Sequence, residues 1–345
     1  MVTIRMGELW WWSREIFMNG LSALFPISVE SEIEAIAVDL EGRVFLQLEE
    51  RLAVLDDFSL PARTLYLRRR GEQLIAALPG GGMISTEEDG ELLIFREKGL
   101  IGSVREGLHV EDEFFDSVCL NASGQQIALW ARRDEDDPFG LSTEYFFTLL
   151  SPLPEAPFLR VERLPWTWDF RPRDWTIGPG ATLYVLEGGD GGGLNAYSLS
   201  DLSKAPWSIW ADASWDVERC VSIAGRYSSK YIVAFLGARE RRAAEVAAFS
   251  GEGLRRVEGG TGLPISGVVE DVWMRLSPDG SVFALGVALE GQEQRTLTVV
   301  SIDEDSGGMR PRMLCDFGLD TIVAWFSSNI VMIGDQNALS RRLVR

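Results

Sequence analysis

Five aspartates occupy corresponding places in the sequence, each at the start of a short apolar segment that recurs along the chain. They are Asp116, Asp174, Asp216, Asp271 and Asp320. If the recurring segments lie side by side, their leading ends meet at one end of the fold and the five carboxylates form a ring. Such a ring could hold Ca²⁺ or attract a lysine or arginine of a partner. The same aspartates could instead cap the backbone N–H groups of tight turns, which is a structural role.

Four tryptophans lie in the segments 164–174 and 209–216, which lead into two of these aspartates. They are Trp166, Trp168, Trp210 and Trp215. Indole rings offer large rigid contact areas and are enriched among the residues that dominate protein–protein binding energy. The alternative is that some of them pack between neighbouring sheets. The five aspartates and four tryptophans together form the predicted site, a surface for binding a partner.

Most catalytic and cofactor-binding patterns are missing from the sequence. His109 is the only histidine, which leaves little for a histidine-based triad or metal site. No phosphate-binding loop, dinucleotide-binding glycine pattern or nucleophile elbow occurs. Cys119, Cys220 and Cys315 are too few for a disulfide framework, so we expect reduced core cysteines. No catalytic residue is predicted, and Ca²⁺ at the aspartates is the one cofactor left open.

The chain is strongly acidic, with a formal net charge of -19 at pH 7. This charge disfavours nucleic acids and anionic membranes, because binding to them depends on cationic side chains. It favours a protein partner with a basic surface, attracted by the long-range field. The N-terminal segment carries charges throughout and has no secretory pattern, and no segment is long and apolar enough to span a bilayer. We therefore expect a cytoplasmic protein.

Short strands joined in hairpins must position these residues. Seven stretches share an apolar run, a turn and a second apolar run: 36–46, 65–78, 118–130, 175–186, 220–235, 273–285 and 322–333. Each is followed by the signal of a third strand, and segments such as 156–165 and 253–264 suit an outer strand. This self-similarity predicts an all-β fold, a single closed β-propeller of seven four-stranded blades. The short spacing between the first two stretches leaves six blades as an alternative.

The repeats predict one domain over residues 1–345. The last blade ends with the chain and lacks a fourth strand, whereas residues 1–12 precede the first repeat. We therefore expect an N-terminal strand within residues 1–12 to pair beside residues 339–344 and close the last blade, since closure removes exposed strand edges. Residues 13–30 are then a connector, and residues 31–345 form the blades.

Two hairpins resemble the repeats of WD40 and TolB-type propellers. They are the turn SPDG at 277–280, followed by VFALG, and the segment NASGQQIAL at 121–129. The Trp-Asp dipeptide that ends a WD40 repeat is missing, so the chain resembles a divergent, bacterial member of that group. The resemblance implies a platform for protein contacts.

These observations favour a non-enzymatic interaction module, a scaffold subunit of a bacterial multiprotein assembly that binds its partner through an acidic, Trp-rich face. One alternative is a hydrolase or lyase that uses carboxylates or Ca²⁺ at the central channel on a sugar or lactone, because paired carboxylates suffice for glycosidic chemistry. A second alternative is an acidic inhibitor of a basic toxin or nuclease, a task suited to charge-steered association.

Overall fold

A computed structural model of the chain describes residues 27–38, 43–56, 61–68, 71–78, 82–86, 92–96, 99–103, 113–120, 126–134, 142–152, 159–187, 193–208, 220–225, 230–237, 244–250, 255–256, 263–277, 281–303, 308–318, 321–327, 330–336 and 338–343. Every regular element within these ranges is a β-strand. The predicted all-β class is therefore confirmed. His109, Asp216, Asp320, Trp210 and Trp215 lie outside the described residues.

The strands follow one another with short connections. In chain order they are β1 (Ile27–Ser28), β2 (Ile33–Val38), β3 (Val44–Leu48), β4 (Arg51–Leu55), β5 (Arg63–Leu67), β6 (Gln73–Leu78), β7 (Gly82–Thr86), β8 (Leu92–Arg96), β9 (Gly99–Ser103), β10 (Glu113–Leu120), β11 (Gln126–Asp134), β12 (Ser142–Pro152), β13 (Leu159–Trp168), β14 (Asp174–Gly178), β15 (Thr182–Leu186), β16 (Leu194–Ser198), β17 (Trp207–Ser208), β18 (Cys220–Ala224), β19 (Tyr231–Leu236), β20 (Ala244–Ser250), β21 (Arg255–Arg256), β22 (Leu263–Ile265), β23 (Val269–Leu276), β24 (Val282–Leu289), β25 (Gln294–Ile302), β26 (Met309–Gly318), β27 (Ile322–Ser327), β28 (Ile330–Asp335) and β29 (Ala338–Leu343).

These strands form antiparallel sheets, which we number by the chain order of their first strands. Sheet 1 has the order β2-β3-β4-β5, sheet 2 β6-β7-β8-β9, sheet 3 β10-β11-β12-β13, sheet 4 β14-β15-β16-β17, sheet 5 β18-β19-β20-β21, sheet 6 β23-β24-β25-β26 and sheet 7 β27-β28-β29-β1. In sheet 5, β22 also pairs with β20, at the end opposite to β21. Four-stranded antiparallel sheets are thus the repeating unit, as predicted.

The second of the seven predicted hairpins is wrong. Residues 65–78 do not form a hairpin, because β5 pairs with β4 and β6 pairs with β7. This stretch instead leaves the outer strand of sheet 1 and begins the first strand of sheet 2. The turn at Gly71, which has a φ of 73°, therefore connects two sheets. This explains the short spacing that had suggested a six-bladed alternative.

An N-terminal strand completes the sheet that contains the end of the chain. Ile27 and Ser28 of β1 pair with Leu339 and Ala338 of β29. These two residues lie in the range 13–30, which the sequence had suggested as a connector. Residues 1–12, to which we assigned the closing strand, lie outside the described residues.

The sheets pack against one another through their apolar faces. Three of the second strands, β3 (VFLQL), β15 (TLYVL) and β19 (YIVAFL), are buried along their whole length. A strand covered on both faces carries a continuous apolar run instead of alternating polar and apolar residues. Apolar clusters join sheet 1 to sheet 2, sheet 3 to sheet 4, sheet 4 to sheet 5, sheet 5 to sheet 6, sheet 6 to sheet 7, and sheet 7 to sheet 1.

The first strands of the sheets lie next to one another. In succession β2 contacts β6, β6 contacts β10, β10 contacts β14, β14 contacts β18, and β18 contacts β23, while β27 contacts β2. Between β23 and β27, the indole Nε1 of Trp325 donates a 3.0 Å hydrogen bond to the carbonyl oxygen of Arg275. Each first strand therefore contacts the first strands of two other sheets.

The described cysteines agree with the expectation of reduced thiols. Cys220 is buried and Cys315 is partly buried, and neither forms a disulfide. The side chain of Cys119 lies outside what the structure describes. No helix in the described part of the chain has the length and apolar character needed to cross a bilayer.

Candidate protein-interaction face

Each sheet has a side at which its first strand begins, and we call this its leading side. The connection from the second to the third strand lies on the same side, because the strands alternate in direction. Asp174, the first residue of β14, lies there in sheet 4. Its Oδ2 accepts hydrogen bonds from the hydroxyl of Ser222 (2.7 Å) and the backbone N–H of Ile223 (2.8 Å), both in β18 of sheet 5. This aspartate therefore links two neighbouring sheets at their leading sides.

A second contact shows that β14 and β18 run in the same direction. The hydroxyl of Thr176 donates to the carbonyl oxygen of Gly225 at 3.2 Å, and the Gly225 N–H returns a bond of 2.8 Å to the same hydroxyl. Thr176 follows Asp174, and Gly225 follows Ser222. Because both strands advance together, the leading sides of sheets 4 and 5 face the same way.

Asp271 has a different set of partners. Its Oδ2 forms an ion pair with Arg295 of β25, in the same sheet, and its side chain is largely exposed. Asp116 occupies a bulge in β10, where the pairing register with β11 shifts between Phe115 and Ser117. The structure thus places Asp174 and Asp271 within the first three residues of first strands, whereas Asp116 lies in the middle of β10. Asp174 makes an inter-sheet bond and Asp271 an intra-sheet ion pair.

Trp166 and Trp168 lie near the end of β13, the outer strand of sheet 3. Both are half-buried and pack against the cluster that joins sheets 3 and 4. Their ring centroids lie 4.8 and 5.3 Å from that of Tyr197 in sheet 4. Trp168 also meets Phe147 edge to face, at 5.1 Å. The alternative that propeller tryptophans pack between sheets therefore applies to both residues, although part of each remains exposed.

Glu187 is a residue of this region that the sequence had not indicated. It follows β15 directly, on the leading side of sheet 4. Its Oε1 accepts hydrogen bonds from Trp168 Nε1 (3.2 Å), Asn195 Nδ2 (2.6 Å) and the Tyr197 hydroxyl (3.4 Å). Burial and the charge of Glu187 raise the pKa of Tyr197, so its phenol stays protonated and remains a donor.

A second polar network, which was not predicted from the sequence, lies between sheets 1 and 2. Glu72, just before β6, is fully buried and accepts hydrogen bonds from the hydroxyls of Tyr66 and Ser85, each at 2.5 Å. The side chain of Gln47 accepts from the Leu74 N–H (2.5 Å) and donates to Glu34 (2.7 Å). Glu34 and Glu72 lie at the start of a first strand, as Asp174 does. The signal that could have identified them is an acidic residue at that place, a glutamate instead of an aspartate.

Exposed glutamates line the leading sides of sheets 1 and 6. We call them the leading-side glutamates, and they are Glu30, Glu32, Glu49, Glu50, Glu290 and Glu293. On the opposite sides of the sheets, the described connections carry charges of both signs, namely Arg43, Asp56, Asp201, Lys204, Lys230 and Asp303. The leading-side connections also carry Glu72, Asp169 and Glu187 and the cations Arg68, Arg171 and Arg173. Among the described connections, acidic residues therefore outnumber basic ones on the leading sides but not on the opposite sides.

The described residues contain no group of three or more His, Cys, Asp or Glu side chains arranged to hold a metal ion. Asp174 uses its oxygens on N–H and hydroxyl donors, and Asp271 faces an arginine. These two predicted ring members therefore act as hydrogen-bond and ion-pair acceptors. Ca²⁺ binding by the whole predicted set stays a prediction.

The sequence matches no protein-family model and no curated protein. Several solved structures are similar to it in fold. Hsv2 of Kluyveromyces lactis has a TM-score of 0.56 at 11% identity, covering 92% of this chain and 98% of that one. An oligogalacturonate lyase in complex with manganese has a TM-score of 0.60 at 9% identity, covering 91% of this chain and 89% of that one.

A chain in the crystal structure of a mitotic checkpoint complex is also similar, with a TM-score of 0.51 at 10% identity, covering 93% of this chain and 94% of that one. At such identities the likeness concerns the fold alone, because one fold carries many functions. The shared architecture is a propeller-like arrangement of four-stranded antiparallel sheets. The chain therefore has a β-propeller, WD40-like fold.

Proposed function

We propose that the chain is a single closed propeller of seven blades, each blade being one of the seven numbered sheets. Support comes from the succession of contacts between first strands and from the apolar clusters, which lead from sheet 1 through sheet 6 to sheet 7 and back to sheet 1. Because β1 pairs with β29 and residues 29–32 join β1 to β2, the chain itself connects the last blade to the first. A ring closed in this way leaves no free face on either terminal sheet.

We propose further that this propeller is a protein-interaction module, a scaffold subunit that binds a partner with a basic surface. The observation that carries the proposal is the concentration of exposed acidic side chains on the leading sides. In a closed ring these sides form one face, which we call the leading face. It would contain the predicted site together with the leading-side glutamates. A field of one sign on one face speeds the encounter with a partner of opposite charge.

The structures similar to this chain have more than one role. One similar chain belongs to a mitotic checkpoint complex, and its presence in a protein assembly supports an interaction role. Another is a lyase in complex with manganese. The interaction role is favoured because the described acidic side chains are spread over several sheets instead of converging on one point.

A pair of charge-matched variants tests the interaction role. The partner is first captured from the native host, identified and purified, and its association rate is then measured against variants. Glu290→Gln with Glu293→Gln removes two charges from the leading face, and Asp56→Asn with Asp201→Asn removes two from the opposite face. We expect the first pair to slow association several-fold at low salt and the second pair to have little effect, because rim charges act mainly on association.

Two results would contradict this role. Equal association rates for the two double variants would remove the leading face as the binding surface. A purified protein that contains stoichiometric metal and turns over a sugar or lactone would favour the enzymatic alternative instead.

A further inference from the structure

Glu187 is held in one orientation by neutral donors. The three hydrogen bonds to its Oε1 come from two sheets, with Trp168 in sheet 3 and Asn195 and Tyr197 in sheet 4. The Ser208 hydroxyl donates to Oδ1 of Asn195 and so turns the amide N–H₂ group towards the carboxylate. A half-buried carboxylate fixed in this manner has lost most of its freedom before any ligand arrives, which lowers the entropic cost of binding.

The second oxygen of Glu187, Oε2, has no hydrogen-bond partner in the described part of the chain. Among the described residues no lysine or arginine forms an ion pair with this carboxylate. Within the described ranges, its negative charge is therefore met by neutral N–H and O–H groups. Partial removal of a carboxylate from water is unfavourable unless a counter-charge or further hydrogen bonds compensate for it. Arg171 and Arg173 lie in the connection that leads to β14, but neither forms an ion pair with Glu187 among the described contacts.

Aromatic rings flank this carboxylate. Trp166 and Trp168 are half-buried, and both rings pack against Tyr197 of sheet 4. Phe170, two residues beyond Trp168, is 69% exposed on the same leading side. Ammonium and guanidinium groups are attracted to the faces of indole and phenol rings, and the attraction grows when water is excluded. A carboxylate beside aromatic rings is thus complementary to a cation carried on an apolar stem.

We propose that Glu187, with Trp168, Asn195 and Tyr197, forms a binding site for one cationic side chain, the arginine or lysine of a partner protein. This inference rests on the proposed function and deepens it, because it names a single anchoring contact within the leading face. The cation would contact Oε2 of Glu187 and lie against the exposed part of the Trp168 ring. The site differs from the predicted ring of aspartates, since Asp174 and Asp271 already have partners.

A peptide titration tests this site without any knowledge of the natural partner. The probes are short Gly/Ser peptides that carry one central arginine, lysine or citrulline, the last being the neutral analogue of arginine. Binding is followed through the indole N–H resonance of Trp168 in protein labelled with ¹⁵N, assigned with a Trp168→Phe variant. We expect the arginine or lysine peptide to shift this resonance saturably, and the citrulline peptide to bind at least tenfold more weakly.

Variants separate the site from the general acidity of the face. Glu187→Gln keeps an acceptor oxygen for the three donors and should weaken peptide binding at least tenfold. Glu293→Gln removes one charge from the same face and should leave binding nearly unchanged. If Glu187→Gln fails to fold, Ser208→Ala serves instead, because it releases Asn195 and should weaken binding severalfold.

Some outcomes would overturn the inference. The inference is wrong if the citrulline peptide binds as tightly as the arginine peptide, or if no peptide shifts the Trp168 resonance. It is also wrong if Glu187→Gln, or Ser208→Ala in its place, binds the peptides as tightly as the unchanged protein. The proposed function is judged separately, by the association rate of the natural partner. If that rate still depends on Glu290 and Glu293 while the peptides fail to bind, the interaction role stands and the Glu187 site does not.

Discussion

The carboxylate of Asp174 accepts a 2.7 Å hydrogen bond from the hydroxyl of Ser222, 48 residues further along the chain. The same oxygen accepts the backbone N–H of Ile223, while Oδ1 accepts the N–H of Trp175. One side chain thus satisfies donors at the starts of β14 and β18. A charged acceptor with several donors forms stronger hydrogen bonds than a neutral one. This arrangement ties sheet 4 to sheet 5 where their first strands begin.

Asp174→Asn should destabilise the protein by about 1–3 kcal/mol, because an amide N–H₂ in place of Oδ2 leaves the donors of Ser222 and Ile223 without an acceptor. Ser222→Ala should cost less, since the Ile223 N–H keeps its acceptor. Urea denaturation measures both. Asp201→Asn, at an exposed turn on the opposite side, is the control and should change the free energy of unfolding little. Equal stability of all three variants would remove the structural role assigned to Asp174.

Gly225→Ala should also loosen the contact between sheets 4 and 5. A Cβ atom at Gly225 would lie 2.8 Å from the carbonyl oxygen of Ile177 and 2.5 Å from Cδ1 of Ile232. Overpacking of this kind costs about 1–3 kcal/mol, because the backbone must move. Gly318→Ala is the matched control, since its Cβ would meet only the Thr321 hydroxyl, at 3.5 Å. If both substitutions lowered the melting temperature equally, close packing at Gly225 would be contradicted.

The N-terminal strand should contribute to the stability of the whole domain. Removal of residues 1–28 deletes β1 and exposes the edge of β29, so we expect a lower midpoint and a less cooperative transition in urea. Removal of residues 1–12 alone tests the closing role first assigned to that segment. A chain without residues 1–28 that unfolds as the full chain does would contradict closure by β1.

The stability of the protein should fall at alkaline pH in a manner that depends on Cys220. Burial, and secondarily the charge of Asp174, raise the pKa of this thiol in the folded state. An unfolded thiol ionises near pH 8.5, so above that pH the unfolded state binds fewer protons than the folded state and becomes favoured, by up to about 1.4 kcal/mol per pH unit.

The measurement is the free energy of unfolding between about pH 8 and pH 9.5, below the ordinary pKa of tyrosine. Cys220→Ala should flatten the decline, whereas the partly buried Cys315 should contribute less when replaced in the same way. Native Cys220 should also react slowly with thiol reagents until the protein unfolds. Rapid labelling of the folded protein at Cys220 would show that this strand is not packed as described.

Local patterns in the sequence were sufficient for the strands and most hairpins. The third strands predicted to follow the stretches 36–46 and 273–285 correspond to β4 and β25, and the turn at 277–280 lies between β23 and β24. Apolar runs and turn residues specify such elements because hairpin pairing involves residues close in the chain. The same patterns failed at 65–78, where a Gly turn joins two sheets and is locally indistinguishable from a hairpin turn.

The partners of the polar side chains depended on tertiary structure. The sequence placed Asp174 at the start of a strand, but its bond to Ser222 arises from the relative position of two sheets. Likewise Glu187 meets Trp168 only because sheet 3 packs on sheet 4, and β1 meets β29 from the other end of the chain. Such contacts follow from how twisted sheets pack, which no local residue pattern encodes, whereas strand formation follows from alternation, burial and turns along a few residues.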